Sequence, residues 1–181
     1  MKMSGEKILN APQPRVWAAL NDPEVLRQSI PGCERFQKQA DDSYRAMVIA
    51  KIGPVQARFD GAVRLTDLDP PNGYTISGEG SGGVAGSAKG SAKVQLEPAA
   101  DGTRLTWTAD AQISGKLAQI GSRLIESTAN HMAAQFFDRF GLIVAGESAS
   151  ESAADKVPAW VWLAGAASAA TLAAILYILL V

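Results

Sequence analysis

The chain of 181 residues is short of the groups that most often carry catalysis. It has one cysteine, Cys33, and one histidine, His131. A single Cys excludes an internal disulfide and fits a reducing compartment. One His and one Cys about 100 residues apart argue against a structural metal site. Charge of one sign is lacking too: 17 Lys and Arg stand against 18 Asp and Glu. No basic run with interleaved aromatics occurs, so nucleic acid is not an expected partner. The N-terminus, MKMSGEKIL, lacks the apolar core of a signal peptide. Nucleophile-elbow, Walker and dinucleotide patterns are missing. The GEGSGG run at 78–83 follows strand alternation and opens no helix. Acid pairs such as Asp41-Asp42 and Asp67 with Asp69 flank turns and do not read as a catalytic carboxylate pair.

Hydrophobic residues are present in ordinary amount, 47%, but are unevenly spread. Residues 159–181, AWVWLAGAASAATLAAILYILLV, contain no charged residue. As a helix they would reach about 34 Å, against a hydrocarbon core of about 30 Å. Trp160, Trp162 and Tyr177 lie near its ends, where aromatic rings favour the membrane interface. The stretch is expected to be a C-terminal transmembrane anchor with the preceding domain on the cytoplasmic side. Residues 145–158, AGESASESAADKVP, read as a flexible linker. Residues 1–144 read as one domain.

Within that domain, 2–9 is a strand candidate. Pro12 and Pro14 open a short helix over 12–20. Asp22 caps a second over 23–30, with Pro23 at its first position. Strands follow, with period-2 alternation clearest in 55–65, 74–82, 84–96 and 105–113. Gly53-Pro54, Pro70-Pro71-Asn72-Gly73 and Asp101-Gly102 supply turns. Residues 115–144 then switch to helical spacing. One stripe carries Leu117, Gly121, Leu124, Thr128, His131, Gln135 and Arg139. A greasier neighbour carries Ile125, Ala129, Met132, Phe136, Phe140 and Ile143. The expected class is α+β, a helix-grip fold. A curved antiparallel sheet of about seven strands surrounds a long C-terminal helix, two short helices follow strand 1, and the transmembrane helix comes last.

Small residues on the apolar phase of two successive strands are the unusual feature: Gly78, Gly80, Gly82, Gly86, Ala88, Gly90 and Ala92. They either let the sheet bend and the helix pack close, or leave an apolar cavity between the two. Candidate cavity walls are Val48, Phe59, Val63, Ile76, Gly78, Gly86, Ala88, Trp107, Leu117, Leu124 and Phe136. His131 and Gln135 are candidate contacts for a polar head group. Lys89, Lys93, Arg58, Arg64 and Arg104 fall on outward phases, as a solvated sheet face or a docking surface.

Several short runs carry a family resemblance: Asp22-Pro23 with Leu26, Pro31-Gly32-Cys33, Ile52-Gly53 with Val55, and Phe59 with Gly61. Asp69-Pro70-Pro71 with Tyr74, Gly78 and Gly80, then Thr103, Leu105 and Trp107, then Gly115, Leu117, Ala118 and Gly121 extend it. On these, residues 1–144 resemble the G-subunit family of carbon monoxide dehydrogenase. That family lies within the superfamily of START domains, birch-pollen-allergen-like proteins and polyketide cyclases. The resemblance implies an apolar ligand under the helix and favours the cavity over close packing. It further implies a non-enzymatic accessory role: recruiting a molybdenum-containing carbon monoxide dehydrogenase, or a related hydroxylase, to the cytoplasmic membrane. A bound quinone, menaquinone or ubiquinone, would link that enzyme to the quinone pool, with no cofactor of the protein's own. An enzyme of the cyclase or hydrolase kind and a general lipid carrier are the alternatives within the same superfamily.

Overall fold

Alternation in the strands is realised as one sheet with one wet face. The computed structural model describes residues 1–151. Its element order is β1 (Lys2–Leu9), α1 (Gln13–Ala19), α2 (Pro23–Ser29), β2 (Cys33–Ala40), β3 (Ser43–Ile52), β4 (Val55–Asp69) and β5 (Gly73–Ser81). A 3₁₀ turn (Gly83–Ala85), β6 (Ser87–Ala99), β7 (Gly102–Ser114), α3 (Lys116–Ile120) and α4 (Ser122–Glu151) follow. The seven strands pair antiparallel in the order β1-β7-β6-β5-β4-β3-β2. β2 to β7 are thus a meander, and β1 closes it by pairing with the last strand. The α1–α2 connection carries the chain from one edge of the sheet to the other.

The local reasons are those of the residues. Asp22 accepts backbone N–H bonds from Glu24 (2.8 Å) and Val25 (3.3 Å), and Pro23 occupies the first turn of α2. In β3, Tyr44, Ala46, Val48, Ala50 and Ile52 are buried on one phase. In β6 the buried set is Ala88, Ala92, Val94 and Leu96. The greasier helical stripe supplies the core side of α4: Ile125, Ala129, Met132, Phe136 and Phe140 are buried, joined by Ala133, Phe137 and Val144. The other stripe, from Leu124 through His131 to Arg139, stays on the wet side.

Three expectations need correction. The helix expected over 115–144 is two helices. Gly121, at φ +100, breaks the spacing between α3 and α4. At its other end α4 runs on to Glu151, into the stretch read as linker, because Glu, Ser and Ala at 147–151 tolerate a helical backbone. Residues 84–86 are not strand. Val84 sits in the 3₁₀ turn and is 87% exposed, and β6 begins at Ser87. Among the described residues no helix is long and apolar enough to cross a membrane. The expected anchor with Trp160, Trp162 and Tyr177, and the rest of the linker, lie outside the described residues.

Candidate functional site

The space between sheet and α4 is built from large side chains. Val48, Phe59, Val63, Ile76, Leu117 and Phe136 are all buried there. Phe136 packs edge-on to Phe137 with ring centroids 5.1 Å apart and stacks on Phe140 at 5.4 Å. Trp107 stacks on Phe137 at 6.5 Å. These contacts place eight of the eleven candidate wall residues in the core, since Trp107 and Ala88 are buried as well. The remaining three differ. Leu124 is 41% exposed and rests on the β3–β4 turn, where its Cδ2 lies 2.7 Å from the place a Cβ on Gly53 would take. Gly86, at φ +124, belongs to the turn before β6. Gly78 is half-buried beside Gly90 and reaches the opposite face of the sheet.

Two glycines show why small residues are needed. A Cβ on Gly5 would fall 2.9 Å from the Trp107 indole, and one on Gly82 would collide with the Phe59 ring. Here the glycines make room for aromatic rings of the protein itself. At the α3–α4 junction the surface carries a depression of about 320 Å³. Met1, Ala111, Gln112, Ile113, Ala118, Ser122 and Ile125 line it.

His131 and Gln135 do not face the interior. His131 is exposed, and its Nε2 lies 3.0 Å from Gln135 Nε2 on the wet side of α4. The i, i+4 spacing that suggested a shared head-group contact joins the two to each other. The buried hydroxyls of Ser29 and Thr103 are both bonded to backbone carbonyls. Ser29 donates to Val25 O at 2.7 Å and Thr103 to Ala11 O at 2.7 Å. Cys33 is half-buried; burial pushes its thiol up to about 11. Among the described residues no group of three or more His, Cys, Asp or Glu could hold a metal ion.

A feature missed in the sequence lies on the outer face. Register aligns Ser43, Arg64, Ser77, Ser91 and Asp110 in one cross-strand row, and Arg45, Ala62, Glu79, Lys89 and Gln112 in the next. Small residues in mid-sheet and long polar ones around them leave a groove of about 820 Å³. Part of its charge is neutralised: Arg45 holds Asp60 at 2.9 Å and Arg64 holds Asp42 at 3.4 Å. Arg58 is likewise paired, with Glu34 at 2.8 Å. The small floor was visible as Ser and Ala on outward phases, but only strand register shows that they line up.

A seven-stranded antiparallel sheet wrapped on one long helix, with two short helices bridging its edges, defines a helix-grip protein. The chain belongs to the CoxG family, the G subunits of carbon monoxide dehydrogenase, whose model matches residues 5–144. A conserved protein from Geobacillus kaustophilus, solved as a crystal structure, is 30% identical with TM-score 0.76. The match covers 81% of this chain and 97% of that one. A Thermus thermophilus protein shares the fold at 15% identity and TM-score 0.61, covering 82% of this chain and 99% of the other. Ara h 8.0201 does so at 12% and 0.58, covering 81% and 98%. No match was found among curated proteins.

Proposed function

We propose that the protein is a membrane-held accessory subunit that serves a molybdenum-containing carbon monoxide dehydrogenase or a related hydroxylase. The family match over residues 5–144 carries this reading. In it, residues 159–181 anchor the protein in the cytoplasmic membrane. The helix-grip domain takes up a quinone, menaquinone or ubiquinone, or another apolar lipid, and brings the enzyme to the quinone pool. Burial of an apolar tail among Phe, Trp and Leu side chains would contribute about 25 cal/mol per Å².

The core as packed is filled by its own rings, so loading requires an opening. The α3–α4 junction is suited to it. Gly121 stands at φ +100 with nothing within 4 Å of a would-be Cβ, and the surface depression of about 320 Å³ lies beside it. Swinging α3 and the first turn of α4 away from β7 would deepen that depression. A binding role is favoured because the space under α4 is walled by apolar side chains, Val48, Phe59, Ile76, Leu117 and Phe136.

Two measurements test the reading. Fractionation of cells with and without residues 159–181 should move the oxidoreductase from membrane to supernatant when the segment is lost; an unchanged distribution refutes recruitment. Organic extraction of the purified protein followed by mass spectrometry should recover quinone or lipid. Recovery of neither, with no binding of added quinone, refutes the carrier role and leaves recruitment to stand alone.

A further inference from the structure

The antiparallel order sorts the turns of the sheet into two groups at opposite ends of the strands. At one end lie the β2–β3, β4–β5 and β6–β7 turns. Around them stand Asp41, Asp42, Asp67, Asp69, Glu97 and Asp101; Asp41 is paired with Lys38, Asp42 with Arg64, and Glu97 lies across from Arg104. At the other end lie the β3–β4 turn, the 3₁₀ turn before β6, and the α3–α4 junction. The cations there are Lys51, Lys116 and Arg123, all exposed. None of the three has an ion-pair partner among the described residues. Glu126, one turn along α4, is the nearby carboxylate on that helix. The domain, close to neutral overall, is therefore polarised along its strands.

Of the five large apolar side chains that stand exposed among the described residues, Val84 and Leu124 are at the basic end, while Ile8, Leu68 and Leu142 lie toward the other. Val84 at the tip of the 3₁₀ turn is 87% exposed, Leu124 is 41% exposed, and Ile120 is half-buried. Backbone contacts hold these tips together. A Cβ on Gly115 would come 2.6 Å from Gly86 Cα, and Leu124 rests on Gly53. Apolar tips among unpaired cations match the boundary between acyl chains and anionic head groups. The acidic far end would be repelled by the same surface, so the field selects one orientation.

We propose that this end docks the domain on an anionic lipid surface. Val84 and Leu124 dip into the head-group layer, and Lys51, Lys116 and Arg123 meet lipid phosphates. The contact goes beyond the anchor and does not depend on residues 159–181. It also turns the depression beside Gly121 toward the bilayer.

The test uses residues 1–151. The solved Geobacillus relative, matched over 97% of its length, shows a folded unit of this extent. Co-sedimentation is measured with phosphatidylcholine vesicles and with vesicles in which part of it is replaced by phosphatidylglycerol. Binding is expected to the mixed vesicles alone and to weaken as salt is raised. Each of K51Q, K116Q and R123Q should lower partitioning about fivefold. V84S should lower it by about tenfold. K93Q, on the outer sheet face, should leave it unchanged. Circular dichroism verifies that each variant is folded. Equal binding to both vesicles, binding to neither, or equal loss with K93Q overturns the proposal. So does an end whose neutralisation spares vesicle binding but abolishes association with the oxidoreductase, which would make it a protein interface. Loss of the anchor's effect in fractionation would leave this result untouched, so the two readings fail separately.

Discussion

Gly86 and Gly115 meet backbone against backbone. The Cα of Gly86 lies 2.6 Å from where a Cβ on Gly115 would stand, and the two residues have φ of +124 and +77. This contact joins the turn before β6 to the end of β7, next to α3. Gly115→Ala should destabilise the fold by about 2–4 kcal/mol, the sum of a left-handed backbone and a forced separation. Gly83→Ala is the comparison. Its φ is +61, but nothing lies within 4 Å. Its cost should be about 1 kcal/mol, from backbone conformation alone. Urea unfolding of both variants reads the difference. Equal midpoints would show that the close approach carries no strain.

Thr103 ties β7 to the start of α1. Its hydroxyl donates 2.7 Å to the carbonyl of Ala11, with both residues buried. Thr103→Val preserves shape but leaves that carbonyl unpaired, and should cost about 1–3 kcal/mol. Thr103→Ser retains the hydrogen bond and loses a methyl group, worth about 1 kcal/mol. The order of the two in thermal denaturation separates hydrogen bonding from packing.

Glu24 on α2 is held by Arg27 at 2.5 Å and by Gln28 at 3.0 Å. The bond from Arg27, with that from Gln28, lowers its carboxyl to about 2 from an ordinary 4.5. Because the folded value is the lower, the contribution to stability is present above pH 4.5 and is lost as pH falls toward 2. The carboxylate is exposed, so the effect on global stability is small. Carboxyl NMR titration should show a midpoint near 2, returning toward 4.5 in Arg27→Ala.

Cys33 should be a poor nucleophile. Burial raises its thiol from 9.0 to about 11. That rise means roughly a hundredfold less thiolate at neutral pH than for an ordinary thiol. Alkylation by iodoacetamide at pH 7 should be slower by about that factor than for a free cysteine peptide. A peptide-like rate would place the thiol in solvent.

Period-2 spacing was enough to find the sheet. Tyr74, Ile76, Val94, Leu105 and Trp107 fall inside on the phases read from sequence alone. The Asp22-Pro23 start of α2 was equally plain, because its capping chemistry is local. What failed depended on partners distant in sequence. Gly121 fits a helical stripe as well as a break, and only its φ decides. Val84 sits in phase with Gly86 and Ala88, yet the turn lifts it into solvent. His131 and Gln135 were candidates by spacing, but the rotation of α4 about its axis is set by Phe136 and Phe140. The glycines on the inward phase were legible as missing volume; that Phe59 fills the space at Gly82 was not. The charge polarity was hidden for a similar reason. Lys51 is far in the chain from Lys116 and Arg123, and turn order alone gathers them.

The place of β1 has a consequence for how the protein is made. Its partner is β7, so Lys2 waits for Asp110 and Leu9 for Thr103. As the chain leaves the ribosome, β2 to β6 can zip hairpin by hairpin, while the first-synthesised strand has no neighbour until the last has emerged. The apolar face under α4 stays uncovered longer still, because α4 follows β7. The newborn chain is thus exposed to aggregation until α4 has emerged to cover the sheet, and a chaperone would be needed most in that interval.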